Sequence, residues 1–171
     1  MKRTVWRRLD TVARQMVPCA LTFLLLLTGA VPLHAQALQA VAPSLPLIAV
    51  FYWTLYRPDL MPAVCVFFIG LLQDVLCGLP LGVGAGVLVC VHAAVDTQRA
   101  FFIGKSFGVV WLGFAVVAGI ALLLQWLIVC AWYGTLVTPE KSLFQALTTI
   151  GTFPLVSWVL LRCQLSLLEQ A

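Results

Sequence analysis

Long apolar runs alternate with short polar breaks along this chain, and the run lengths predict its elements. From Gln15 to Tyr56 no residue is charged. As one helix that run would be about 63 Å long, twice the ~30 Å hydrocarbon core of a bilayer. It must fold back, and Pro32, His34, Gln36, Gln39, Pro43, Ser44 and Pro46 mark the break. The pattern predicts helix one over 16–32, with Pro18 in its first turn, where a missing N–H is tolerated. A short helix two follows over 45–56. Tyr52, Trp53 and Tyr56, then Arg57-Pro58-Asp59, read as an interfacial belt and a loop. The run over 60–95 is again too long for one crossing, at about 54 Å. Gly78-Leu79-Pro80 divides it into helix three over 60–77 and helix four over 81–95, with Pro80 placed to open helix four. A polar loop with Asp96, Gln98, Arg99 and Lys105 leads to a long, tilted helix five over 106–133. Glu140 and Lys141 precede helix six over 143–161, which ends at Arg162.

Composition turns these helices into membrane crossings. The 171 residues are 63% hydrophobic and only 9% charged, against about 25% charged in a typical soluble domain. Too few charges remain to clothe a soluble surface, so the fold class is an all-α polytopic membrane protein with about six transmembrane helices. Charge placement orients it. With six spans and both termini inside, Lys2, Arg3, Arg7, Arg8, Arg14, Arg57, Arg99, Lys105 and Arg162 lie on the inner side and only Lys141 on the outer. Merging helices three and four would put Arg99 and Lys105 outside, which favours six spans over five.

The N-terminal cluster Lys2, Arg3, Arg7, Arg8 and Arg14 therefore reads as an orientation signal and a contact for anionic lipid headgroups, not for nucleic acid. Val5, Leu9, Val12 and Met16 recur at helical spacing beside it, as in an amphipathic helix lying in the inner interface. The domain plan is a basic cytoplasmic segment over 1–15, a six-helix domain over 16–162 and a short cytoplasmic tail over 163–171. The basic start, the run Leu21–Leu27 and Ala35-Gln36-Ala37 imitate a cleavable signal peptide. Helix one is long enough to span in its own right and is read as retained.

Little in the chain suggests catalysis. His34 and His92 have no ligand cluster at metal spacing, and His92 with Asp96 reads as an interfacial pair at a helix end. The six cysteines lack CxxC spacing and read as small buried hydrophobes. Gly104-Lys105-Ser106 lacks the earlier glycine of a phosphate loop, and Gly82-Val83-Gly84-Ala85-Gly86 lacks the spacing of a dinucleotide loop. Gly78, Gly82 and Gly86 instead read as overlapping small-xxx-small pairs that let helices approach. No metal, cofactor or catalytic residue is expected, so the chain is read as non-enzymatic.

Asp74 is the informative residue, because an ionisable group inside a span is a functional hypothesis by default. The spans offer it no lysine or arginine. It is either a neutral acid, an acceptor for the amides that open helix four, or a partner for a group on another chain. A structural role is favoured over ligand or proton handling. On helix six, Gln145, Thr148, Thr149 and Thr152 form a polar stripe suited to bonding a neighbouring helix, with Gln125 on helix five as its partner.

The segment Gly70-Leu71-Leu72-Gln73-Asp74-Val75-Leu76-Cys77-Gly78-Leu79-Pro80-Leu81-Gly82 resembles the central signature of the MreD family of bacterial rod-shape-determining membrane proteins. The matching positions are Gly70, Asp74, Gly78, Pro80 and Gly82. The aromatic stretch running into Pro58, the chain length and the basic N-terminus agree. One departure is that many members carry asparagine shortly after the Pro-Leu-Gly turn, whereas this chain has Gly84 and no asparagine at all. The resemblance implies a fold like the substrate-binding membrane subunits of energy-coupling-factor transporters. It also implies a non-enzymatic inner-membrane subunit of the wall-elongation complex (the elongasome), which maintains cell shape by helping to organise peptidoglycan synthesis. Its direct partner would be MreC, with MreB, RodA and a class B penicillin-binding protein reached through the complex. The competing reading is a small-molecule-binding subunit of a vitamin-type transporter, with Asp74 and the helix-six stripe lining an outward pocket.

Overall fold

The computed structural model describes residues 18–29, 42–135 and 138–168. The described residues form six α-helices and a short 3-10 turn: α1 (Pro18–Gly29), α2 (Leu45–Tyr56), the turn Pro58–Leu60, α3 (Ala63–Cys77), α4 (Val83–Phe102), α5 (Phe107–Tyr133) and α6 (Glu140–Leu168). The basic segment expected to be amphipathic lies outside the described residues, as does His34.

Two helix ends differ from the sequence reading. α4 continues past Val95 to Phe102, so Asp96, Gln98 and Arg99 are its last turns and not a loop. Hydropathy falls there, but no helix breaker occurs before Gly104, whose φ of 82° makes the turn. α6 likewise starts at Glu140 and runs through Arg162 to Leu168. Polar residues at a helix end mark a change of surroundings, not the end of the hydrogen-bond ladder.

α5 and α6 are long and apolar enough to cross a membrane. The exterior agrees with a nonaqueous setting. Leu112, Leu155 and Trp132 are 67%, 67% and 70% exposed, where a soluble protein would keep most such side chains inside. α2 is different. Its 12 residues rise only about 18 Å, and every side chain from Pro46 to Leu55 is buried. It is the core of the bundle, packed against α4 and α6. The Phe51 ring meets Phe102, Phe114 and Phe153 edge-on at 6.3, 5.1 and 5.9 Å, while Phe114 and Phe153 stack at 4.2 Å. An apolar helix surrounded by protein has no need of a polar face.

Ser44 precedes α2, and its N–H donates to Thr149 Oγ1 of α6 at 3.0 Å. At the other end of α2, Tyr52 Oη donates to Gln164 Oε1 at 3.1 Å. The two helices therefore run in the same direction. Pro154 lies inside α6. Having no N–H, it leaves the carbonyl of Ile150 without its helical donor. The indole Nε1–H of Trp111 on α5 takes that place at 3.0 Å. Trp111→Phe leaves this carbonyl unpartnered and should cost about 1–3 kcal/mol. The check is thermal unfolding of the purified protein in detergent. An unchanged melting temperature would mean that water or another protein donor reaches the carbonyl without Trp111.

Candidate functional site

The tightest pairing in the bundle is α3 against α4, and it is organised around Asp74. The backbone of Asp74 ends α3. Its carbonyl accepts the N–H of Gly78 and that of Leu79, the latter at 2.9 Å, as in a helix closed by a left-handed residue. Gly78 supplies that residue with φ 65°. The side chain of Asp74 then starts α4. Its Oδ2 accepts the N–H groups of Gly82 at 2.9 Å and Ala85 at 3.3 Å, and its Oδ1 accepts the N–H of Gly84 at 2.8 Å.

A helix start leaves its first N–H groups without intrahelical partners. α4 opens on Gly82, which has no side chain to cap them and sits at φ 98°. Val83 N–H goes to the Pro80 carbonyl at 3.2 Å, and Gly86 N–H makes the first helical bond to Gly82 at 2.9 Å. Asp74 takes the other three. It is fully buried, and the helix N-terminus places partial positive charge at its carboxyl. The site is a cap supplied from a neighbouring helix. Of the three readings left open by the sequence, the acceptor for the α4 amides matches this geometry. Pro80 does not open α4; it lies in the turn that carries the chain from α3 to Gly82, three residues before the helix begins.

Two glycines make the pairing possible, and they are not the ones that the spacing suggested. Gly78 and Gly82 lie in the turn, and Gly86 faces open space, so the small-xxx-small reading of these three is corrected. The close approach is at Gly70, where a Cβ would strike the Cα of Ala85, and at Gly84, where a Cβ would strike the Asp74 carboxyl. The departure at Gly84 is thus occupied by a backbone N–H bonded to Asp74. Beside Asp74, Gln73 is also buried, with Oε1 lacking a hydrogen-bond partner.

Elsewhere the expected groups separate. Thr148, Thr149 and Thr152 each donate to carbonyls one turn back in their own helix. Thr149 also bonds across to another chain segment, accepting the N–H of Ser44. Gln125 and Gln145 are part-buried, and no hydrogen bond joins Gln125 to the stripe among the described residues. His92 is not confined to an interfacial pair with Asp96. Its Nδ1 lies 2.8 Å from Oγ1 of the buried Thr54 on α2. Thr54 gave no sequence signal, since one hydroxyl in an apolar run is unremarkable. Among the described residues, no three of His, Cys, Asp and Glu converge as metal ligands.

An all-helical bundle of the described residues, with an apolar exterior, two membrane-length helices and a buried carboxyl that caps a neighbouring helix, defines the class of a helical membrane protein. The chain belongs to the MreD family, the rod shape-determining proteins, whose model matches residues 11–165. No curated protein matches the chain, and no solved structure does. Its class is that of a rod-shape-determining membrane protein, from a structural family and not one known for catalysis.

Proposed function

We propose that this chain is a multi-pass inner-membrane subunit of the wall-elongation complex that binds MreC directly and helps organise peptidoglycan synthesis. MreB, RodA and a class B penicillin-binding protein join through the complex. Both termini are cytoplasmic, the six helices α1–α6 are the crossings, and the fold is of the energy-coupling-factor substrate-subunit type. Family membership over residues 11–165 supports the role. The observation that carries it to particular residues is the Asp74 cap, which fixes the α3–α4 hairpin as a rigid element. The signature positions Gly70, Asp74, Gly78, Pro80 and Gly82 are then structural. They give the hairpin a shape that a partner helix or domain can recognise. The transporter reading draws no support from the groups it relied on. Asp74 has no exposed surface, and the helix-six threonines are bonded to their own backbone.

The test is depletion in the native bacterium, with complementation by wild type or Asp74→Ala. Rods that swell and round on depletion, rescued only by wild type, are the expected result. Asp74→Ala should also lower membrane levels of the protein or its co-purification with MreC. Unchanged cell shape with a newly acquired nutrient requirement would overturn the reading in favour of transport. Normal levels of Asp74→Ala with undiminished MreC capture would remove Asp74 from it.

A further inference from the structure

A second polar feature lies away from Asp74, where α4 ends and the chain turns into α5. A cavity of about 320 Å³ is lined there by Leu55, Tyr56, Arg99, Phe102, Ile103 and Lys105. It is built by the fold. Gly104 turns the chain at φ 82°, and Lys105 N–H bonds back to the Phe102 carbonyl at 3.2 Å. This brings Lys105 beside the last turn of α4, where Arg99 lies. Arg99 Nε is buried without a hydrogen-bond partner, so Asp96, one turn earlier, does not satisfy it. The exposed Lys105 ammonium lies over the Phe101 ring at 5.7 Å.

Two cations, one with a buried orphan donor, and a tyrosine line this cavity, and among the described residues no carboxylate lies in its wall. Such a site takes an anion with several acceptor oxygens. Ile103 of its wall is apolar and exposed, and so are Phe101 and Phe107, which flank the same turn in sequence. A soluble anion has no use for that apolar surface, whereas the acyl chains of a lipid do. We propose that this cavity is a binding site for the phosphate of an anionic phospholipid, with Arg99 and Lys105 contacting the phosphate oxygens. Basic pockets between membrane helices commonly hold such headgroups. The N-terminal basic cluster lies outside the described residues and is no part of the cavity's described wall. The site requires only that this end of the bundle meets a membrane interface, so its failure would leave the shape-complex reading untouched.

The experiment uses the full chain in detergent. Phosphatidylglycerol, phosphatidylcholine and inorganic phosphate are titrated in turn, and binding is read as a rise in melting temperature and as retained lipid in native mass spectrometry. Phosphatidylglycerol should bind saturably and phosphatidylcholine should not. Lys105→Gln, in an exposed loop that tolerates it, should weaken binding about fivefold, as should Arg99→Gln, and the pair should weaken it more than either alone. Lys141→Gln, at the far end, should change nothing. A further variant with Lys2, Arg3, Arg7, Arg8 and Arg14 changed to glutamine should keep the saturable site. Equal binding by Lys105→Gln and wild type would overturn the proposal, as would loss of the site in the N-terminal variant. Inorganic phosphate binding as tightly as the lipid would overturn the lipid assignment.

Discussion

Asp74→Ala is expected to destabilise the bundle more than any other single polar substitution. The change removes the acceptor for three backbone N–H groups at a fully buried position. A buried donor left unsatisfied costs about 1–3 kcal/mol. The three losses are not additive, because the first turn of α4 can fray to relieve them, so about 3–5 kcal/mol is expected in total. Asp74→Asn keeps one acceptor oxygen but turns an NH2 toward backbone donors, and should fall between alanine and wild type. Melting temperature in detergent and the fraction recovered as a single monodisperse species measure both. A melting temperature for Asp74→Ala within a degree or two of wild type would show that water or lipid headgroups cap α4 equally well.

Gly70→Ala is the second large expected effect. The added methyl would overlap the Cα of Ala85, which is backbone and cannot rotate away. α3 and α4 must separate, and overpacking of this kind costs about 1–3 kcal/mol, at the upper end where backbone must move. Gly84→Ala should cost less than Gly70→Ala, since its obstacle is the Asp74 side chain. The two positions are coupled. In an Asp74→Ala background, Gly84→Ala should cost little further stability, and the double-mutant cycle should show a clear interaction energy. Gly86→Ala is the control. Its Cβ points to open space, and alanine improves helix propensity by up to about 1 kcal/mol. If Gly70→Ala proves as harmless as Gly86→Ala, the close α3–α4 approach is not a tight constraint on stability.

Much of this was legible in the residues. The helices α2 and α5 are marked to within a residue by their flanking prolines, glycines and charges, because those residues interrupt both hydropathy and the backbone ladder. Asp74 stands out because a carboxyl in an apolar run must be compensated by something. The possibility that the amides opening the next helix compensate it was also visible, since the turn that follows is short. The roles of individual glycines were not. Gly70, Gly78, Gly82, Gly84 and Gly86 look alike in sequence, yet two adopt positive φ, two sit at close approaches and one faces outward. Which role each has depends on the rotation of α3 and α4 about their axes, and that is set by contacts between residues distant along the chain.

The residues alone were enough to make the chain helical and apolar enough for a membrane, to place the turns that follow α2, α3 and α5, and to show that one buried acid needs partners. These follow from local terms: backbone hydrogen bonding, run length and the cost of an ionisable group in hydrocarbon. Tertiary structure alone decided which apolar helix is surrounded by protein and which faces lipid. α2 and α5 are both apolar but for Thr54 and Gln125, yet α2 is buried along nearly its whole length, while α5 buries a single stripe at Val110, Phe114, Ala118, Ala121 and Leu122. Lipid tails and a protein core are equally apolar, so hydropathy cannot distinguish them. Only the packing of Phe51 against Phe102, Phe114 and Phe153 places α2 at the centre.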